Sequence, residues 1–187
     1  MPTDREPPEE HLGDERYYER SGERAVRGFD ARLLAEPLNT LPQRPPIVFS
    51  ASHTVAEAMA AMQQQRRGSV LVTEDGTQQT RLIGIFTDRD ALLRVIGHGR
   101  NPAQLPLSEV MTPEPESLPG DATVAWVLNR MAFSGFRHVP VVDADGSPLF
   151  VISVRDVVQF LAEYFPREVL NLPPEFGGPP PRKREGA

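Results

Sequence analysis

The chain repeats itself, and a duplicated unit has to fold into two like halves. The block TVAEAMAAM at 54–62 returns as TVAWVLNRM at 123–131, 69 residues further on. GSVLVTEDG at 68–76 returns as HVPVVDADG at 138–146, and GIFTDRD at 84–90 as FVISVRD at 150–156. The spacing shortens to 66 at the last pair because the loop after Gly76 is four residues longer than the loop after Gly146. Three blocks recurring in one order make coincidence untenable.

Periodicity predicts the structure of one unit. Val55, Ala58, Met59 and Met62 stand at i, i+3, i+4 and i+7, as do Val124, Val127, Leu128 and Met131, so each block forms an amphipathic helix with one buried stripe. Thr54 and Thr123 are start signals for these helices. Short apolar runs follow, Val70 to Val72 and Leu82 to Phe86 in the first copy, Val139 to Val142 and Leu149 to Ile152 in the second. Asp75-Gly76 and Asp145-Gly146 lie between the runs and read as hairpin turns. A second helix closes each unit, with Leu92, Val95 and Ile96 as its apolar positions in the first copy and Val157, Phe160, Leu161 and Tyr164 in the second. Pro140 has no N–H to give a sheet, so its strand start belongs at an edge or spares one bond.

The ends differ from the middle. Of 20 prolines, 13 lie at or before Pro46 or at or beyond Pro166, which confines the folded part to the centre. Residues 1–24 are charged and aperiodic, the composition of a disordered head, and 25–45 form a leader whose Val26, Phe29, Leu33, Leu34, Leu38 and Leu41 are expected to pack on the module. The first unit is placed at 46–100, a linker and the second unit at 101–165, and a proline-rich tail at 166–187. The formal charge of −6 disfavours a nucleic-acid partner. The chain has no cysteine, which excludes disulfides, thiolate metal sites and cysteine nucleophiles and leaves the cytoplasm as the expected compartment. No apolar run reaches the roughly 18 residues of a membrane span. His11, His53 and His98 are isolated from one another, so no metal site is expected, and no P-loop is present.

The repeated β-α-β-β-α unit, closing each time on an apolar strand, a hydroxyl residue, two further residues and an aspartate, resembles the cystathionine β-synthase (CBS) domain. VMTPEPESL at 110–118 is similar to that family's entry into a second copy. The resemblance covers about residues 46–165 and implies an α+β fold in which two pseudo-symmetric units pack sheet to sheet as one Bateman module. It further implies two clefts for an adenosine-containing ligand, AMP, ADP, ATP or S-adenosylmethionine, a homodimer formed through helices, and a nonenzymatic regulatory role with no required cofactor. Output would pass to a separate protein partner. The alternative is a structural or adaptor protein with empty clefts. A phosphate-transferring enzyme would need a metal-binding carboxylate cluster or a placed general base, and the sequence shows neither.

The candidate site residues have physical roles of their own. Thr87 and Ser153 stand where a strand turns into a helix, where a hydroxyl and free helical amides can meet an anion. Asp90 and Asp156, three residues on, suit the vicinal diol of a ribose, which is the role the family gives that aspartate. The same spacing is also a capping box that needs no ligand. Arg137 and His138 precede a strand where the family often binds phosphate, and the corresponding first-copy residues are read as Arg67 and Gly68, so the two sites should differ. Arg67, Arg89 and Arg155 are secondary candidates. The site of Ser153 and Asp156 is the one expected to be filled if only one is.

Overall fold

The computed structural model describes residues 31–41 and 43–164. The expected head, Val26 and Phe29 of the leader, and the proline-rich tail lie outside the described residues. Two compact units divide the chain, Met1–Leu33 and Leu34–Ala187. Of the first, residues 31–33 are described, within a 3-10 turn at Ala31–Ala35; everything below concerns the second.

Each copy builds its elements as the periodicity predicts. In the first, β1 (Val48–Ser50) leads to α1 (Val55–Gln65), β2 (Ser69–Thr73) and β3 (Leu82–Thr87). Strand β3 runs into a short α2 (Asp88–Asp90), which widens into a π-helical turn at Ala91–Val95 and ends in a 3-10 turn at Ile96–His98. After a 3-10 turn at Leu107–Glu109 and a two-residue β4 (Thr112–Pro113), the second copy has β5 (Leu118–Pro119), α3 (Val124–Ser134), β6 (His138–Val142), β7 (Pro148–Ser153) and α4 (Val154–Tyr164). The sheets are ordered β1-β2-β3-β4 and β5-β6-β7, with a parallel first pair and an antiparallel hairpin in each. Gly76 and Gly146, with φ of 86° and 81°, make the hairpin turns that Asp-Gly announces. Leu71, Leu82 and Ile85 of one sheet bury themselves against Val142 and Val151 of the other, so the copies pack sheet to sheet.

Two local expectations change, and the one for Pro140 holds. Leu92 and Ile96 are not core: they are 58% and 63% exposed, because the wide π turn places Ala91 and Val95 inward and carries their neighbours outward. Tyr164 is likewise half exposed, while Val157 and Phe160 are buried. Pro140 lies on β6, the central strand of its sheet, yet β5 pairs only with Val141 and Val142, so no strand opposes Pro140 on that side.

Tertiary structure also crosses the copies over. Leu38 N–H donates to Ala122 O (2.8 Å) and Val124 N–H to Glu36 O (2.9 Å), so the leader caps the second copy's helix. Thr123 makes no side-chain cap, and that backbone bond takes its place. Reciprocally, Leu107 N–H donates to His53 O (2.9 Å) and Val55 N–H to Leu105 O (2.8 Å), so the linker caps the first copy's helix, beside the Thr54–Glu57 capping box. Leu38 and Leu107 are both wholly buried. From these docked turns the chain returns to its own copy through two straps, 43–47 and 112–116.

Candidate functional site

The two hairpins set a register that corrects the sequence alignment by one residue. Ser69 pairs with Thr87, and His138 pairs with Ser153. His138 therefore corresponds to Ser69, Arg137 to Gly68 and Phe136 to Arg67, not His138 to Gly68 as the ungapped match has it. The extra residue of the second copy sits within its hairpin, where Asp143-Ala144-Asp145 replaces Glu74-Asp75.

Both strand-to-helix junctions close as capping boxes. Thr87 N–H (3.0 Å) and hydroxyl (2.7 Å) donate to Asp90 Oδ2, and Asp90 N–H donates back to Thr87 Oγ1 (3.3 Å). Ser153 repeats this with Asp156 at 2.8, 2.6 and 3.3 Å. Of the two roles the spacing offers, the capping box is the one formed here, each hydroxyl hydrogen being given to its own helix's aspartate. Asp88 N–H and Val154 N–H are also engaged, by Gly68 O (3.1 Å) and Arg137 O (3.0 Å).

The aspartates face two different clefts. Asp156 and Ser153 line a cleft of about 250 Å³ with Arg155 of α4, Arg137 and His138, and, from the first copy, Arg66 and Arg67 at the end of α1 and Arg44 on the 43–47 strap. Five arginines and one carboxylate thus line it. Burial and the neighbouring Arg44 charge push the Arg67 guanidinium below its usual pKa, with Asp156 pulling the other way. Arg67 Nη2 donates to Pro45 O (3.2 Å) and so ties the strap down.

Asp90 and Thr87 line the other cleft, about 470 Å³, with Asp88, Arg89, Arg94, Arg137, His138, Phe136, Pro140 and the 112–116 strap. Here Asp90 is committed: its Oδ1 lies 3.3 Å from Arg94 Nε, and Arg94 Nη1 also donates to Val110 O (2.8 Å) and Met111 O (2.9 Å). Asp156 Oδ1 has no such partner among the described residues. All nine candidate residues therefore line a cleft: Arg67, Ser153, Arg155 and Asp156 the first, Thr87, Arg89 and Asp90 the second, Arg137 and His138 both. Sequence reasoning missed Arg44 and Arg66, because only the tertiary path of the strap and the helix end brings them to the cleft.

His138 is the shared wall. Its ring leans over Gly68, where a Cβ would stand 2.8 Å from Nε2, so a side chain there would require the ring to move. Burial lowers the His138 pKa from its ordinary 6.5, against the opposing pull of Asp88 and Asp156, and Arg137 adds to the lowering. With the folded pKa below the unfolded one, the neutral ring's share of stability is complete above about pH 6.5 and is lost as the pH falls through the folded value. Urea unfolding at pH 7 to 5 should show wild type losing stability relative to His138→Asn, with a slope of at most ~1.4 kcal/mol per pH unit. A flat difference would remove His138 as the cause.

Among the described residues no group of three His, Asp or Glu is arranged to hold a metal ion, and no helix is long and apolar enough to cross a membrane. The CBS domain family profile matches twice, at residues 38–97 and 107–163. A CBS domain-containing protein of Arabidopsis thaliana, CBSCBSPB5, is 34% identical over 80% of this chain and 24% of its own length. An uncharacterized 17.7 kDa protein of Acidianus ambivalens is 30% identical over 62% of this chain and 67% of its own. The chain thus spans about two thirds of one relative and a quarter of the other. A CBS domain protein from Pyrobaculum aerophilum complexed with AMP superposes with a TM-score of 0.60 at 22% identity, covering 68% of this chain and 99% of that one. The CBS domain pair of protein MJ0100, in complex with 5′-methylthioadenosine and S-adenosyl-L-methionine, superposes with a TM-score of 0.61 at 18% identity, covering 70% and 98%. The duplicated unit, its two facing sheets and both profile matches lead to one conclusion: this chain belongs to the CBS domain family, with two CBS domains in tandem forming a Bateman module.

Proposed function

We propose that this chain is a nonenzymatic regulatory module whose Asp156 cleft takes the phosphates of an adenine nucleotide. The observation that carries the reading is the convergence of Arg44, Arg66, Arg67, Arg137 and Arg155 on a cleft with a single carboxylate. Guanidinium forks match phosphate oxygens in pairs, and a polyphosphate would relieve the mutual repulsion of the cluster. Asp156 has an oxygen left to accept from a ribose hydroxyl. Support also comes from the AMP and S-adenosylmethionine complexes of the structural neighbours.

Signal would arise from where the arginines come from. Arg66, Arg67 and Arg44 belong to the first copy and its strap, Arg137 and Arg155 to the second, so a ligand gripping both favours one relative placement of the copies. It shifts that balance only by its differential affinity for the two placements. Leu92, Leu93 and Ile96 of the first copy and Val158 and Tyr164 of α4 are exposed, and they are the faces on which a second copy or a regulated protein would dock. We place the protein in the cytoplasm on its lack of cysteine.

A thermal-shift panel of AMP, ADP, ATP and S-adenosylmethionine tests this. At about 100-fold excess over its dissociation constant, a nucleotide should stabilise wild type by ~2.7 kcal/mol. Asp156→Ala should lose that shift, besides about 1 kcal/mol of unliganded stability from the broken cap. If no nucleotide moves the wild-type melting temperature, and none is retained on purification, the sensor reading is wrong.

A further inference from the structure

Helix α1 ends on a residue that its backbone conformation does not favour. Arg66, which follows the helix, has φ of 51° and ψ of 48°, in the left-handed region, and its N–H closes the helix on Gln63 O and Met62 O. Glycine is the usual occupant of such a position, because a Cβ there crowds the following carbonyl oxygen. The repeat supplies the comparison. Helix α3 ends on Gly135, with φ of 70°, and the hairpin register makes Gly135 the counterpart of Arg66. One copy therefore ends its helix without strain, and the other carries an arginine in the same left-handed turn.

Nothing in the unliganded fold requires that side chain. The bonds that end α1 come from the Arg66 backbone N–H, which a glycine would supply as well. The side chain is exposed, lines the Asp156 cleft and makes no hydrogen bond or ion pair with any described residue. Backbone strain with no structural use marks a position kept for a ligand or a partner. The neighbours of Arg66 grade the cleft from inside to rim: Asp156 and Arg67 are partly buried, and Arg44 and Arg66 are exposed. Arg67 is close enough to Asp156 to feel its charge, so the two form the inner pair.

We propose that Arg66 is a specificity-determining residue of the Asp156 cleft, holding the outer phosphates of a nucleoside di- or triphosphate and so separating it from a monophosphate. The assignment rests on the reading of that cleft as a nucleotide site. With the ribose on Asp156, the first phosphate meets the inner Arg67, and only a longer chain extends to the rim where Arg66 stands. A guanidinium offers phosphate a fork of N–H donors, and Arg66 has no partner of its own to give up when the ligand arrives. The strain is present before binding, and it is offset only when the ligand is long enough to reach the arginine.

Titration calorimetry of the full chain with ATP and AMP, both without divalent cation, decides it together with melts of the unliganded protein. Wild type should bind ATP more tightly than AMP. Arg66→Gly and Arg66→Asn should each weaken ATP by about tenfold or more and AMP by less than about twofold. Both residues accept the left-handed conformation, so both variants should melt no lower than wild type and up to about 4 °C higher. The asparagine variant is needed because glycine also loosens the unfolded chain. Arg66→Lys keeps both the charge and the strain, and should melt like wild type and retain part of the preference for ATP. If wild type does not distinguish ATP from AMP, if the variants weaken both alike or neither, or if both glycine and asparagine lower the melting temperature, this inference is overturned and the nucleotide reading stands. If ATP itself does not bind to wild type, both fall.

Discussion

Reversing one charge, in Arg67→Glu, is expected to weaken nucleotide binding by at least about 100-fold, with no loss of unliganded stability. Losing a desolvated, hydrogen-bonded charge partner costs about 2–5 kcal/mol, and here a repulsive carboxylate is added beside Asp156. The two readouts separate because Arg67 is in an unfavourable environment before any ligand arrives. Burial first and Arg44 second lower its pKa while Asp156 raises it, so the charged guanidinium adds little to the unliganded fold. The variant loses only the exposed bond to Pro45 O, so its unliganded melting temperature should stay close to that of wild type. Calorimetry with ATP checks the first half and a thermal melt the second. Unchanged affinity would show that the arginine cluster serves something other than phosphate.

The second large effect concerns the crossed connections. Leu38→Ala should lower the unfolding free energy by about 2–5 kcal/mol, a large part of the ~5–15 kcal/mol available to a domain of this size. Leu38 is completely buried in a turn held to the second copy by the Leu38 and Val124 backbone bonds, and Leu107 occupies the same place on the first. Because each copy's helix is capped by the segment that precedes the other, neither half keeps its cap when its mate unfolds. Urea unfolding of Leu38→Ala followed by Trp126 fluorescence, which lies in the second copy, and by circular dichroism should therefore give one coincident transition shifted to lower urea. Two transitions, with only the fluorescence one displaced, would mean that the crossed turns hold each copy separately.

Much of the architecture could be read from the chain because it depends on local physics applied twice. The helical stripes at Val55 and Val124, the hairpin glycines at 76 and 146, and the Thr87 and Ser153 junctions follow from periodicity, from the positive φ of a tight turn and from capping chemistry. One further repeat was present and unused: Pro37-Leu38 matches Pro106-Leu107 at the same 69-residue spacing, and these are the two docking turns. Two apolar or proline residues carry too little pattern to stand out before their burial is known.

What the chain alone determined, then, is the duplicated unit, its strand and helix content and the residue types at its junctions, since each of these is settled within a few neighbouring residues. The tertiary structure decided three things. It set the hairpin register that makes Phe136 and not Arg137 the counterpart of Arg67, because inter-strand bonds rather than sequence identity pair His138 with Ser153. It sent the leader to the second copy and the linker to the first, because that is where buried Leu38 and Leu107 and their backbone bonds are satisfied. And it gathered Arg44, Arg66 and Arg67 with Arg137 and Arg155, residues up to 111 positions apart, around one cleft. Charge at a site is a sum over space, and no local rule can compute it.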